Sequence, residues 1–277
     1  KVREEVKTSA DVFALMDALE QRADLFAAMD DTSHEYWTER PAAKPYVRDL
    51  QLFGARQHMP LVFAAWERMS ADDFTRVLKL LCVLSVRYTV IGSLNTNELE
   101  PVYHRAAKAL LDGAVRTPAE VFAQLRSVYV DDEKFVRDFS HKEMDTTGRR
   151  KKVVKYLLCA PESDASGANL DWESDHGTIE HILPENPSAQ WDESFNPDRQ
   201  KDFIYRLGNL MLLEQSINRE CQNGSFEDKK PQYERSSYVS AKAMGHIDQA
   251  DWNHATLTLR QERMASRAAH IWRSNFA

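Results

Sequence analysis

The chain has 277 residues, with 36 lysine and arginine residues against 43 aspartate and glutamate residues, and its formal net charge is -7. Hydrophobic residues make up 43% of the sequence and charged residues 29%, which excludes collagen-like, disulfide-scaffold and wholly disordered chains. The three cysteines are far apart and no CxxC pair occurs, which excludes a zinc ribbon and argues against a disulfide framework. The charge is uneven: residues 161–200 hold 1 positive and 10 negative side chains.

No segment of the sequence has the length of a membrane span. The longest apolar stretch, 80–86, is far shorter than the roughly 20 residues that a spanning helix needs. The charged N-terminus is followed by no apolar segment, so it does not have the pattern of a signal peptide. We therefore expect a cytoplasmic chain without membrane contact, and we expect it to be part of a longer protein.

The first part of the chain reads as successive helices. Apolar residues recur at helical spacing after a cap at Thr8 or Ser9, namely at Val12, Met16, Leu19, Ala23 and Phe26. Further helices are predicted at 60–66, from Ser70 to Val90, and over 98–112, 118–128, 132–141 and 149–158. Thr117 followed by Pro118 is a typical helix start.

The pattern changes after Cys159. Residues 161–175 are polar and turn-rich, which predicts a linker or surface loop. Two strand-like runs follow at 178–183 and 207–213, then a helix-compatible stretch at 214–221 and a final helix at about 255–273. The sequence thus predicts a mainly α protein, with a helical-bundle-like domain over 1–148 and a second domain over 149–277.

A carboxylate next to a histidine begins the most informative cluster. On an extended segment, the side chains of Glu180 and His181 point to opposite faces, so one can hold a metal while the other faces a substrate. Asn209 lies in the second strand-like run, and Asn218 follows it nine residues later at the start of a predicted helix.

This order of residues resembles the ββα-metal motif of His-Me finger (HNH) nucleases. The resemblance implies that His181 is the general base and that Glu180 and Asn218 bind one divalent ion, Mg²⁺ or Mn²⁺. It also implies that Asn209 orients the histidine and braces the hairpin. A neutral imidazole accepts a proton from water near neutral pH, and hard cations prefer oxygen ligands. Many HNH proteins have Asp in place of Glu180 and His in place of Asn218, which weakens the metal assignment.

A closer resemblance covers roughly residues 150–277. The segments 179–184, 206–213 and 223–230, with Asn218 and Tyr233, resemble the C-terminal nuclease domain of GmrSD-type restriction endonucleases and of the related SspE phage-defence proteins. This resemblance implies a DNA endonuclease that acts in defence against phage or other foreign DNA. It also implies a partner, an N-terminal nucleotide-binding sensor domain of the same protein, whose Asp-Gly-Gln-Arg-type motif does not occur in these residues.

Several basic residues are candidates for binding the nucleic-acid backbone. Arg149, Arg150 and Lys152 belong to a run of five positive charges in seven positions, and Arg219 and Lys229 follow the predicted hairpin. A solvated charged face is the ordinary alternative for each of them. Two other functions stay open: a non-catalytic helical module that docks or regulates a partner, and an HNH nuclease that acts on RNA.

Overall fold

Helix accounts for 66% of the structure and strand for 4%, which confirms the predicted mainly α class. The computed structural model describes residues 6–54, 56–247 and 252–277. The chain divides into two units: one runs up to Tyr129 and includes Ser274–Ala277, and the other is Val130–Arg273. The predicted division into domains at 148/149 stays a prediction.

The first unit is built from helices. They are α1 (Ser9–Asp30), α2 (Lys44–Phe53), α3 (Met59–Arg68), α4 (Ala71–Leu84), α5 (Leu99–Leu111) and α6 (Pro118–Leu125). The helix predicted from Ser70 to Val90 is an α-helix up to Leu84 and continues as a π-helix over Ser85–Ile91. Leu61, Val77 and Phe122 are among the buried side chains that these helices share.

Local capping signals determine where several of these helices begin. Thr8 and Thr117 each form a capping box with an acidic residue three positions later, Asp11 and Glu120. The hydroxyl of Ser70 accepts a hydrogen bond from the amide of Asp73 at the start of α4. These starts agree with the sequence prediction, because capping depends on neighbours in the chain.

The apolar stripe of α1 is largely exposed. Val12 is 44% and Met16 is 58% exposed, and Leu19 and Phe26 are exposed to a similar degree. The buried side chains of this helix are those of Leu25, Ala28 and Met29 near its end. Periodicity predicted the helix, but not its buried face, because no member of the predicted stripe is among its buried residues.

The second unit surrounds a short hairpin with helices. Its elements are α7 (Asp132–Ser140), α8 (Gly148–Ser166), β1 (Thr178–His181), α9 (Lys201–Ile204), β2 (Leu210–Leu213), α10 (Gln215–Cys221), α11 (Phe226–Glu234), α12 (Val239–Gly245) and α13 (His254–Ile271). The strands are shorter than predicted, because residues 207–209 form a 3₁₀ turn before β2. All four residues of β2 are buried.

The predicted linker at 161–175 is wrong for its first six residues. Helix α8 continues through Pro161 to Ser166, and Gly167 ends it with a φ of 70°. Glu162 explains the continuation: it is 3% exposed, and its carboxylate accepts hydrogen bonds from the amides of Val239 and Ser240 at the start of α12. These long-range bonds offset the loss of a helical hydrogen bond at Pro161.

A membrane-spanning helix is not found in the part of the chain that the structure describes, since each helix there is too short or too polar.

Candidate active site

The hairpin places Glu180 and His181 on opposite faces. β1 and β2 are antiparallel, and Glu180 lies opposite Met211 while His181 lies opposite Leu210. The Glu180 side chain is 4% exposed and the His181 side chain is 13% exposed. Alternation along the strand therefore sends the carboxylate into the interior and leaves the imidazole partly accessible.

Three side chains surround the His181 imidazole. The Thr146 hydroxyl oxygen lies 3.2 Å from Nε2, and a carboxylate oxygen of Glu185 lies 3.8 Å from the same nitrogen. Tyr205 meets the imidazole edge to face at 5.9 Å, and its hydroxyl donates to Glu185 at 3.2 Å. Burial lowers the pKa of His181, the Glu185 carboxylate opposes that shift, and the cations of Lys229 and Lys151 add to it. The sequence singled out none of Thr146, Glu185 and Tyr205, because they reach His181 from three separate segments.

The helix that carries the predicted basic run begins near His181, because Thr146, two residues before α8, contacts the imidazole. Arg149, Arg150 and Lys152 are exposed in the first turns of α8, a few residues beyond Thr146. Lys151, a member of the same predicted run, lowers the pKa of His181 through its charge. The structure therefore brings the candidate base and a cationic helix start together, and the contacts of these residues with nucleic acid stay predictions.

Glu180 is bound inside the second unit by two side chains. The Lys229 ammonium lies 2.8 Å from Oε1 of Glu180, and the Tyr233 hydroxyl donates to the same oxygen at 2.8 Å. Lys229 also donates to the backbone carbonyls of His181 and Ile182, at 2.9 and 3.1 Å. Burial raises the pKa of Glu180, and the charge of Lys229 opposes that rise. We call these three residues, Glu180, Lys229 and Tyr233, the buried clamp.

The buried clamp corrects the prediction for Lys229. Its side chain is fully withdrawn from solvent, so it does not reach a nucleic-acid backbone. Its three hydrogen bonds end on the strand that carries His181 and on the residue after it. Arg219 is exposed on α10, and its predicted contact with nucleic acid stays a prediction.

Glu180 does not fit the divalent ion that the resemblance implies, and Asn218 is engaged through its amide nitrogen. One oxygen of Glu180 already has an ammonium ion and a hydroxyl as partners, and the side chain is buried. The Asn218 amide donates to the Thr178 hydroxyl at 3.0 Å and to the Ile179 carbonyl at 3.2 Å, so it ties α10 to β1. Within 6–54, 56–247 and 252–277, no group of three or more His, Cys, Asp and Glu side chains is placed to hold a metal.

Asn209 is a fully buried brace. Its Oδ1 accepts from the amide of Leu183 at 2.8 Å and from the indole of Trp252 at 3.0 Å. Its Nδ2 donates to the carbonyls of Leu183 and Ile204, each at 2.9 Å. The backbone carbonyl of Asn209 also accepts from the amide of Ile182 at 3.0 Å. Ile182 and Leu183 are the two residues after His181, so Asn209 holds the backbone that follows the histidine, while Ile204 and Trp252 fix the Asn209 side chain.

A close contact between Gly208 and helix α13 fixes the turn before β2. The Gln261 side chain on α13 accepts hydrogen bonds from the Gly208 amide at 3.1 Å and from Arg206 at 2.9 Å. A Cβ atom on Gly208 would lie 2.8 Å from the Leu257 carbonyl and from Cβ of Gln261, so this position needs glycine. The turn is thereby anchored to α13.

A comparison with known protein families found a match. Residues 129–267, half of the chain, match the family model described as GmrSD restriction endonucleases, C-terminal domain. This match contains His181, the hairpin, the buried clamp and the basic start of α8. A search of curated proteins found no match.

Proposed function

The chain belongs to the family of GmrSD restriction endonuclease C-terminal domains, and from that premise we propose that it is an HNH-type DNA endonuclease in which His181 is the general base. The placement of His181 carries this proposal. Its imidazole is partly exposed beside the cationic start of α8, while the strand beneath it is held by the buried clamp. In this proposal the base is adjacent to a surface that binds phosphate.

The proposed reaction is hydrolysis of one phosphodiester bond. His181 takes a proton from water, and the hydroxide forms a bond to phosphorus as the bond from phosphorus to the 3′ oxygen breaks. The 3′ oxygen leaves and takes up a proton, which gives a 3′ hydroxyl and a 5′ phosphate. One such centre cuts one strand, so nicking is the expected product.

The exposed cations have a separate part in this proposal. Arg149, Arg150 and Lys152, together with Lys151, bind phosphates of the DNA backbone and hold the strand against His181. Contacts of this kind carry no sequence information, so recognition of foreign DNA is expected elsewhere. That a nucleotide-binding sensor domain supplies it stays a prediction from the resemblance.

A requirement for Mg²⁺ or Mn²⁺ also stays a prediction from the resemblance. Because Glu180 does not fit such an ion as it lies, we assign no step of the reaction to it.

Plasmid nicking tests the proposal. Supercoiled DNA is incubated with wild-type protein, His181→Ala and, as a matched control, His176→Ala, which changes an exposed histidine five residues earlier. The proposal predicts nicking by the wild type and the control and none by His181→Ala. Each reaction is run with Mg²⁺ and with Mn²⁺. Equal nicking by all three proteins, or no nicking by the wild type with either ion, would contradict the proposal. Cleavage of RNA alone would assign the site to the other nucleic acid.

A further inference from the structure

Two oxygen-bearing side chains lie around the same nitrogen of His181. Thr146 is 8% exposed, and its hydroxyl oxygen lies 3.2 Å from Nε2. The Glu185 carboxylate lies 3.8 Å from Nε2, and the Tyr205 hydroxyl holds that carboxylate by a hydrogen bond of 3.2 Å. The two groups come from the segment before α8 and from the loop after β1, so two separate parts of the second unit converge on one ring atom.

The chemistry of these groups favours a proton on Nε2. An ionised carboxylate only accepts hydrogen bonds, and a threonine hydroxyl can accept as well as donate. A protonated Nε2 therefore satisfies both neighbours. In the opposite tautomer, Thr146 would have to donate to a bare Nε2, and the lone pair of that nitrogen would face the negative charge of Glu185. The charge of Glu185 thus favours the proton on Nε2, and the Thr146 hydroxyl is able to accept a hydrogen bond from it.

We infer that Thr146 and Glu185, with Tyr205 holding Glu185, keep neutral His181 in the tautomer that carries its proton on Nε2. Nδ1 then has the free lone pair and is the nitrogen that takes the proton from water. The second statement rests on the proposed function, whereas the tautomer itself does not. Thr146, Glu185 and Tyr205 are positioning residues in this scheme, because they act through His181 and not on the substrate.

Buried hydrogen bonds hold the backbone beneath the His181 imidazole, which limits how the ring can move when its neighbours are substituted. Lys229 donates to the carbonyl of His181 and to that of Ile182, and Asn209 bonds to both neighbours that follow the histidine. The main chain beneath the imidazole is therefore fixed, and the ring is set by the side chains on its outer side. Changing those side chains should alter the tautomer without moving the strand.

Imidazole ¹⁵N spectroscopy tests the inference without an activity assay. In the full chain labelled with ¹⁵N, at about pH 8, where a histidine is neutral, a two-bond ¹H–¹⁵N correlation spectrum separates the protonated nitrogen from the bare one. The variants are Glu185→Gln, Thr146→Val and the double variant. Glu193→Gln is the control, because it removes an exposed carboxylate outside this network. Backbone amide spectra show whether each variant keeps its fold.

We expect the Nε2-protonated tautomer in the wild type and in Glu193→Gln, and a mixture of tautomers in the double variant. Nicking by the double variant should fall at least about 10-fold in kcat with KM unchanged, because an incorrectly oriented catalytic histidine loses far more than that in other hydrolases. Protonation on Nδ1 in the wild type would overturn the inference, as would a folded double variant with an unchanged tautomer. Failure of the proposed function is recognised separately, as nicking that does not depend on His181.

Discussion

The Lys229 ammonium lies 2.8 Å from a carboxylate oxygen of Glu180, and neither side chain is open to solvent. The same ammonium donates to the carbonyl of His181, so an internal ion pair holds the strand that carries the candidate base. Residues that the sequence suggested for a metal and for nucleic acid are therefore partners of each other. Changing Glu180 or Lys229 should therefore affect the stability of the second unit, and changing Glu180 should leave the affinity for a metal unaltered.

Replacing Lys229 by methionine should destabilise the second unit strongly. Lys229→Met leaves the Glu180 carboxylate buried without its cation, and breaking such a pair from one side typically costs about 3 to 5 kcal/mol. Chemical denaturation measures the loss. Lys230→Met, on the same helix but partly exposed, should change stability by less than about 1 kcal/mol. Adding Glu180→Gln to Lys229→Met should recover part of the loss, and equal effects of the two lysine variants would contradict the buried clamp.

Glu180 should not determine metal affinity. Calorimetric titration with Mn²⁺ is expected to give the same result for the wild type and for Glu180→Gln, because the carboxylate is already engaged by Lys229 and Tyr233. Thermal unfolding of the same samples serves as the check on folding. Loss of the partner of Lys229 should lower the melting temperature of Glu180→Gln, so the titration is made well below it. If Glu180→Gln abolished Mn²⁺ binding while still folded, Glu180 would be a metal ligand after all.

Asn209→Asp should be severely destabilising although it replaces one atom. The new oxygen would face the carbonyls of Leu183 and Ile204, which now accept from Nδ2. Two buried acceptors would lose their donor, a loss of about 3 kcal/mol or more in the free energy of unfolding. Hydrogen exchange at the amides of Ile182 and Leu183 should accelerate. Asn223→Asp is the matched control, because Asn223 is exposed. A similar loss of stability in Asn223→Asp would contradict the explanation by the buried hydrogen bonds of Asn209.

Lys151 should contribute to DNA binding through phosphate. Lys151→Gln is expected to weaken binding of DNA of any sequence and to reduce the salt dependence of log Kd by about 1, as for one lost phosphate contact. Fluorescence anisotropy over a series of salt concentrations measures this slope. Lys79→Gln, an exposed lysine of the first unit, is the control. An unchanged slope in Lys151→Gln would place DNA elsewhere.

His58 should make the stability of the first unit depend on pH. Burial lowers the pKa of His58 to about 4, against an ordinary value near 6.5. Between these values the unfolded chain binds a proton that the folded chain does not, so the free energy of unfolding falls as the pH drops from 6.5 towards 4, by up to about 3 kcal/mol. His58→Gln should remove this part of the dependence, and His104→Gln, at an exposed histidine, should keep it. An identical slope in wild type and His58→Gln would refute the assignment.

Local signals made much of the fold predictable. The helix starts at Thr8, Ser70 and Thr117 depend on residues within three positions, and the structure has all three. The opposite faces of Glu180 and His181 on β1 also follow from strand alternation, whereas Asn209, predicted on a strand, lies in the 3₁₀ turn before β2. Such features need no knowledge of what packs against them.

Features that depend on distant partners were not predictable. Lys229 looks like any surface lysine until α11 is seen to pack its side chain against β1, 49 positions away from Glu180. Thr146 and Glu185 become relevant only because two loops meet at His181. For the same reason the linker predicted from residue 161 is helical as far as Ser166, since Glu162 binds the amides at the start of α12.

Chemical rescue tests the role of His181 most directly. Single-turnover nicking of supercoiled DNA is measured for the wild type and for His181→Gly, with and without added imidazole, in the presence of Mg²⁺. A general base contributes roughly 100-fold to 10,000-fold in rate, so His181→Gly should lose nicking by at least that lower factor and should regain part of it as imidazole is added. Nicking by His181→Gly at the wild-type rate without imidazole would contradict the assignment of His181 as the base.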